Sequence, residues 1–143
     1  MDATPKALSL AQADTALPQV VPVLEQLQRL QRALLESEQQ REELTHKLSV
    51  GNGHSHAVLQ DQLHAGIARH DQLVAEAEAA FDQLDERGAM LKDLDSGLID
   101  FYGERDGELI LLCWRLGEAP RIRYWHTLDG GFAGRQPVDA LIR

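Results

Sequence analysis

The sequence predicts an α+β protein: a long antiparallel α-helical hairpin, coiled-coil-like, followed by a small antiparallel β-meander of about four strands. Three observations carry this reading. Two long stretches repeat apolar residues at alternating three- and four-residue spacing, and a glycine-containing loop separates them. Six of the seven Phe, Tyr and Trp residues then fall between Phe101 and Phe132, giving the C-terminal part core material of its own. The expected divisions are 1–17, a tail with a short helix; 18–88, the hairpin; and 89–143, the meander with a C-terminal segment.

Ser9 and Gln12 have the spacing of a capping box, which predicts a short helix near Leu10–Ala16. Pro18 and Pro22 lack an N–H and push their predecessors toward extended geometry, so the long helix is expected to settle only after them. Its seam reads Val20, Val23, Leu27, Leu30, Leu34, Ser37, Arg41, Leu44 and Leu48, with Leu24 and Leu35 widening the stripe. Gly51-Asn52-Gly53-His54-Ser55-His56 is turn-forming. The second seam is expected at Leu63, Ile67, His70, Val74, Ala77, Phe81 and Leu84, and Gly88 closes that helix with Arg87 near its carbonyl end. Two helices of similar length joined by a short loop fold back antiparallel. His70 and Arg41 are the polar interruptions of the seams, His70 as a buried or partner-paired register setter and Arg41 as the same or as an outward-reaching side chain.

Past Gly88, strand-like runs alternate with turn signals. The runs are Met90–Asp93, Leu98–Tyr102, Leu109–Arg115 and Arg121–His126. The turns are Asp95-Ser96-Gly97, Glu104-Arg105-Asp106-Gly107 and Gly117-Glu118-Ala119-Pro120. Short connections favour an antiparallel meander. Leu109–Trp114 is apolar on both alternating faces, as expected of a central strand covered on two sides, one cover being the base of the hairpin and the other the C-terminal segment or a second subunit.

Composition excludes several classes of function. Residues 1–88 carry 14 acidic against 7 basic side chains, and 89–143 carry 9 against 7, for a formal charge of −9 overall. Such a chain repels phosphate backbones and anionic lipid surfaces, so neither nucleic acid nor membrane is expected as a partner. No apolar run is long enough to span a bilayer, the N-terminal residues lack the pattern of a signal peptide, and one cysteine builds no intrachain disulfide; a cytoplasmic location is the expectation.

Lys92-Asp93-Leu94-Asp95-Ser96-Gly97-Leu98-Ile99-Asp100-Phe101, Leu112-Cys113-Trp114-Arg115-Leu116-Gly117-Glu118, Trp125-His126 and Gly131-Phe132-Ala133-Gly134-Arg135-Gln136-Pro137 together resemble an uncharacterised bacterial family, domain of unknown function 2203. The resemblance is dense over the last 50 or so residues and looser over Leu10–Pro22. It implies no reaction, ligand or partner.

Candidate chemistry lies on the meander. Asp100, Cys113 and His126 sit on three neighbouring strands and have the residue types of a metal or acid–base site. Strand register decides whether they meet. With turns centred near Arg105–Asp106 and Glu118, Asp100 and Cys113 share a face with Arg123 and Trp125 while His126 points away; a one-residue shift in the second hairpin reverses this. No CxxC, HxxxH or HExxH spacing accompanies them, so no metal or other cofactor is expected, and pairing of Asp100 with an arginine is the plainer reading. Gly130–Arg135 has the glycines to present backbone N–H groups to an anion, but a turn tucking Phe132 into the sheet fits better, with Arg135 bracing Asp100 or Glu118. Trp114 and Trp125 read as core residues first and ligand platforms second. A mid-strand Cys113 among leucines is no nucleophile, and no catalytic residue is assigned. His54 and His56, with His46 and His64 in helical reach, form a loop tip poorly preorganised for metal.

The leading functional expectation is a non-enzymatic interaction or scaffold protein that forms a homodimer through the hairpin, with room for a further protein partner. The alternative is small-ligand, anion or metal binding, or an enzymatic site, at Asp100, Arg105, Trp114, Trp125, His126 and Arg135.

Overall fold

The computed structural model describes residues 5–51 and 56–141. It contains two long helices, α1 (Leu10–Val50) and α2 (His56–Glu86), and five strands: β1 (Ala89–Asp93), β2 (Leu98–Arg105), β3 (Glu108–Arg115), β4 (Tyr124–His126) and β5 (Gln136–Pro137). The strands form one antiparallel sheet in chain order, β1-β2-β3-β4-β5, so the protein is α+β with one strand more than the four expected. The chain divides into two compact units, residues 27–80 and residues 1–26 with 81–143. Among the described residues no helix is long and apolar enough to cross a membrane.

Helix α1 begins where the capping box places it. The Ser9 hydroxyl accepts from the Gln12 N–H, and the Gln12 side chain accepts from the Ser9 N–H. It does not stop at the prolines, contrary to expectation: Pro18 and Pro22 lie inside one continuous helix. The reason is their placement. Both rings face solvent, four residues apart on one side, so neither ring is forced into the packed face. Leu10, Ala13, Leu17, Val20, Val23 and Leu24 on the other side are buried. Each interior proline costs about 3 kcal/mol, and burial of one Leu or Val returns about 1.5–3 kcal/mol, so the buried row outweighs the breaks.

Within residues 27–80 the two helices pack together as a hairpin, with Gln40, Leu44 and Lys47 of α1 lining one cleft with Gln62, Gly66 and Arg69 of α2. The α1 seam is as expected, with Leu27, Leu30 and Leu44 buried and Ser37 and Arg41 half-buried. The α2 seam keeps Leu63, His70, Ala77 and Leu84 as expected, but its Ile67, Val74 and Phe81 positions are replaced by the residues one place earlier. Leu59, Leu73, Ala80 and Leu84 are buried, while Ile67 is 40% and Phe81 42% exposed and Val74 is half-buried. The inward row is therefore Leu59, Leu63, Gly66, His70, Leu73, Ala77, Ala80 and Leu84. Small residues in this row let the helix backbones approach closely, which the bulkier row would prevent. His70 is half-buried, and its Nδ1 has no hydrogen-bond partner among the described residues. Residues 52–55, including His54, lie outside the described residues.

Gly88 ends α2 in the left-handed conformation, φ +78°, and β1 follows at once. Strand β2 extends to Arg105, so the β2–β3 turn is only Asp106-Gly107. Both residues have positive φ, 53° and 83°, the geometry of a two-residue hairpin turn that Asp-Gly favours. The β3–β4 connection takes up residues 116–123 and leaves β4 shorter than the expected Arg121–His126. This connection is tied to α1, because Ile122 N–H donates to Asp14 Oδ1 at 2.6 Å and the Ile122 side chain is fully buried. As its apolar pattern requires, β3 is the central strand, and Ile110 to Trp114 are all buried.

Candidate functional site

Strand pairing sets which side chains meet. Asp100 lies directly opposite Cys113 across β2–β3, Cys113 opposite Tyr124 across β3–β4, and Leu111 opposite His126. Since residues two apart share a face, Asp100, Cys113, Tyr124 and His126 all project from one side of the sheet. The register is the one-residue alternative to the arrangement that would have set Arg123 and Trp125 beside Cys113. Trp125 pairs with Leu112 and faces the opposite side.

The result is a buried polar cluster. Asp100 and His126 are each 3% exposed and Cys113 1%. One donor atom from each lies within 4.8 Å of the others. His126 Nδ1 is 2.7 Å from the Thr127 carbonyl oxygen and its Nε2 is 3.2 Å from Asp100 Oδ1. A carbonyl only accepts, so Nδ1 carries the proton and Nε2 is directed at the carboxylate. Burial pushes the Cys113 thiol up to about 12, and the Asp100 carboxylate beside it adds to the rise. That closes the nucleophile route and leaves a neutral thiol donating toward Asp100.

The cluster is covered by the segment after β4. Thr127 O also accepts from Gly130 N–H at 3.1 Å, and a Cβ on Gly130 would stand 2.8 Å from Thr127 Oγ1, so a larger residue there would force the threonine side chain to shift. Farther along, Arg135 stacks over Tyr124 at 4.1 Å, reaches the Cys113 carbonyl at 3.5 Å and pairs with Glu118 at 2.7 Å. Burial works against the charge of both Arg135 and Glu118. Their mutual hydrogen bond overrides it, holding the Glu118 carboxyl below its ordinary value, with help from Arg115 N–H, and the Arg135 guanidinium above its own. Of the two carboxylates expected for Arg135, Glu118 is the one it braces; Asp100 takes His126 instead of an arginine. Phe132 is not tucked into the sheet. It is 41% exposed, held between Arg115 at 4.8 Å and Arg135 at 4.6 Å.

The six candidate residues from the sequence thus fall into two groups on opposite faces. Asp100, His126 and Arg135 belong with Cys113 and Glu118 on one face. Arg105 and Trp125 are on the other, the guanidinium 5.0 Å from the ring centre, with Trp114. The Trp114 indole N–H donates to Ala119 O at 2.9 Å, the satisfied core tryptophan of the plainer reading. Residue type groups Cys113 with Asp100 and His126 and the expected register puts it on the Asp100 face, where the pairing of Asp100 with Cys113 places it; what the expected register misses is His126 on that same face.

No curated protein and no solved structure matches the chain. A family model described as an uncharacterized conserved protein, DUF2203, matches residues 6–138, nearly the whole described chain from the α1 capping region to the end of the sheet, and the protein belongs to that family.

Proposed function

We propose that the protein is a self-associating interaction module in which the hairpin of one copy packs on that of a second. The supporting observation is the apolar row that α2 leaves outside its seam. Ile67, Val74 and Phe81 recur every seven residues, one position after the inward Gly66, Leu73 and Ala80. A two-helix pair needs only a narrow seam; a row this much wider is what a helix packing against more than one neighbour carries. The other flank of the seam is polar, with Gln62 and Arg69 facing Gln40 and Lys47. The described residues of the 27–80 unit are almost entirely the two helices, and Leu35 on α1 is also 57% exposed. Two such hairpins closing on their apolar flanks make a four-helix bundle.

Charge gives this reading a signature. The α2 row is rimmed by Asp71 and Glu78, each four residues after an apolar member. Two copies bring like charges together, so association strengthens as salt screens them. Sedimentation of the full chain at rising ionic strength tests this. Dimer formation that tightens with salt supports the reading, and a monomer at every salt concentration refutes it. A further protein partner would use the same row, in a cytoplasmic setting.

A further inference from the structure

We infer that Asp100, Cys113 and His126 form a binding site for one zinc-class divalent cation, independent of the hairpin reading. Three observations on separate strands converge on it. The first is His126. Its Nδ1–H is engaged by the Thr127 carbonyl at 2.7 Å, which leaves Nε2 as the ring atom turned into the cluster. A backbone carbonyl on the far nitrogen is how metal-ligating histidines are oriented.

The second is what Nε2 faces. It stands 3.2 Å from Asp100 Oδ1, in a site where both residues are 3% exposed. Two acceptors do not rest at that distance unless a proton or a cation lies between them. The third is Cys113, directly opposite Asp100, 1% exposed and the only cysteine of the chain. With it the donor set becomes one sulfur, one nitrogen and one oxygen.

Charge and size select the ion. Asp100 carboxylate and Cys113 thiolate sum to two negative charges, which a divalent cation cancels, so the loaded site is neutral where burial demands it. Bond lengths of about 2.0–2.3 Å around a tetrahedral centre put donors about 3.4–3.6 Å apart. Asp100 and His126 are already at that spacing, and the cluster as a whole lies within 4.8 Å, so side-chain rotation closes it. Calcium and magnesium require six or more oxygens or an octahedral shell and do not suit a thiolate. Zinc accepts all three donors, and cobalt(II) substitutes for it as a coloured probe. Three protein ligands leave the fourth position to water or a small anion.

The experiment is a titration of the full chain, stripped with a chelator, with zinc and then cobalt(II), read by elemental analysis and absorption. One equivalent bound per chain with a thiolate-to-cobalt charge-transfer band is the expected result; Cys113 is the only thiolate source, so that band reports this site alone. Binding without the band places the ion elsewhere, on the surface histidines, and overturns the inference, as does no binding at micromolar protein. Cys113→Ser, with its fold checked by circular dichroism, loses the band. Asp100→Asn and His126→Asn weaken zinc at least tenfold. A triple change of His46, His56 and His64 to Gln keeps both band and stoichiometry, and loss of the band there also overturns it.

Discussion

His126 Nε2 meets Asp100 Oδ1 at 3.2 Å across two strand pairings, 26 positions apart in the chain and neither side chain open to solvent. The contact locks β2 to β4 through the central strand β3. It also makes each residue costly to remove, since the survivor loses a partner in a buried site, Asp100 keeping only the Cys113 thiol and His126 only the Thr127 carbonyl.

Asp100→Ala is expected to destabilise the protein by about 3 kcal/mol, the cost of orphaning one member of a buried pair. The Tm then falls by about 10 °C at this chain length. His126→Ala should cost a similar amount, and the double variant clearly less than the two together, because the second change removes the group that the first stranded. Calorimetry on the four proteins measures the cycle. Strict additivity would show that the contact couples nothing.

The Glu118–Arg135 pair predicts an acid response. Glu118 has its folded-state value depressed below 4.5 by Arg135, against the opposing effect of burial. Its contribution is therefore fully present above about pH 4.5 and is lost as pH falls through the lower folded value. The stability gap between wild type and Glu118→Gln should be about 1 kcal/mol at neutral pH, small because the pair is partly solvated, and should narrow as pH falls below 4.5. Urea melts at pH 7, 5 and 3.5 follow it; a gap that stays constant would separate the carboxylate from the effect.

Metal affinity should rise with pH. Burial, with the Asp100 carboxylate beside it, pushes the Cys113 thiol up to about 12. An incoming cation must displace the thiol proton anywhere in the usual range, so this group alone contributes about a tenfold gain in affinity per pH unit. Competition against a chelator whose own proton dependence is known gives the slope. Affinity flat between pH 6 and 8 would mean that sulfur is not a ligand.

The two apolar rows of α2 should respond in opposite ways. Leu73 is 6% exposed in the seam, and Leu73→Ala should cost about 3 kcal/mol of folding stability. Ile67→Ala, 40% exposed, should cost well under 1 kcal/mol within a single chain. Denaturant melts at low protein concentration separate them. Equal losses would place both rows in the same core.

These rows show where the sequence stopped being readable. Leu59, Gly66, Leu73 and Ala80 lie one position from Gln60, Ile67, Val74 and Phe81, and both rows repeat every seven residues. Hydrophobicity selects the bulkier row, yet helix approach selects the smaller one, and spacing alone does not weigh the two. The α1 seam had no rival row and was legible. Pro18 and Pro22 misled because local backbone chemistry says nothing of the buried row behind them. In the sheet, the order of strands and the burial of β3 followed from turn residues and apolar runs. The meeting of His126 with Asp100 did not, because a single residue of slack in the 116–123 connection decides which face His126 takes, and that slack is fixed by Ile122 docking on Asp14.

Sedimentation equilibrium of wild type beside Ile67→Glu bears most directly on the proposed hairpin association. The expected result is a wild-type dimer at micromolar concentration, tighter at high salt, and an Ile67→Glu monomer with unchanged helical circular dichroism. A wild type that stays monomeric, or an Ile67→Glu protein that dimerises as wild type does, would contradict it.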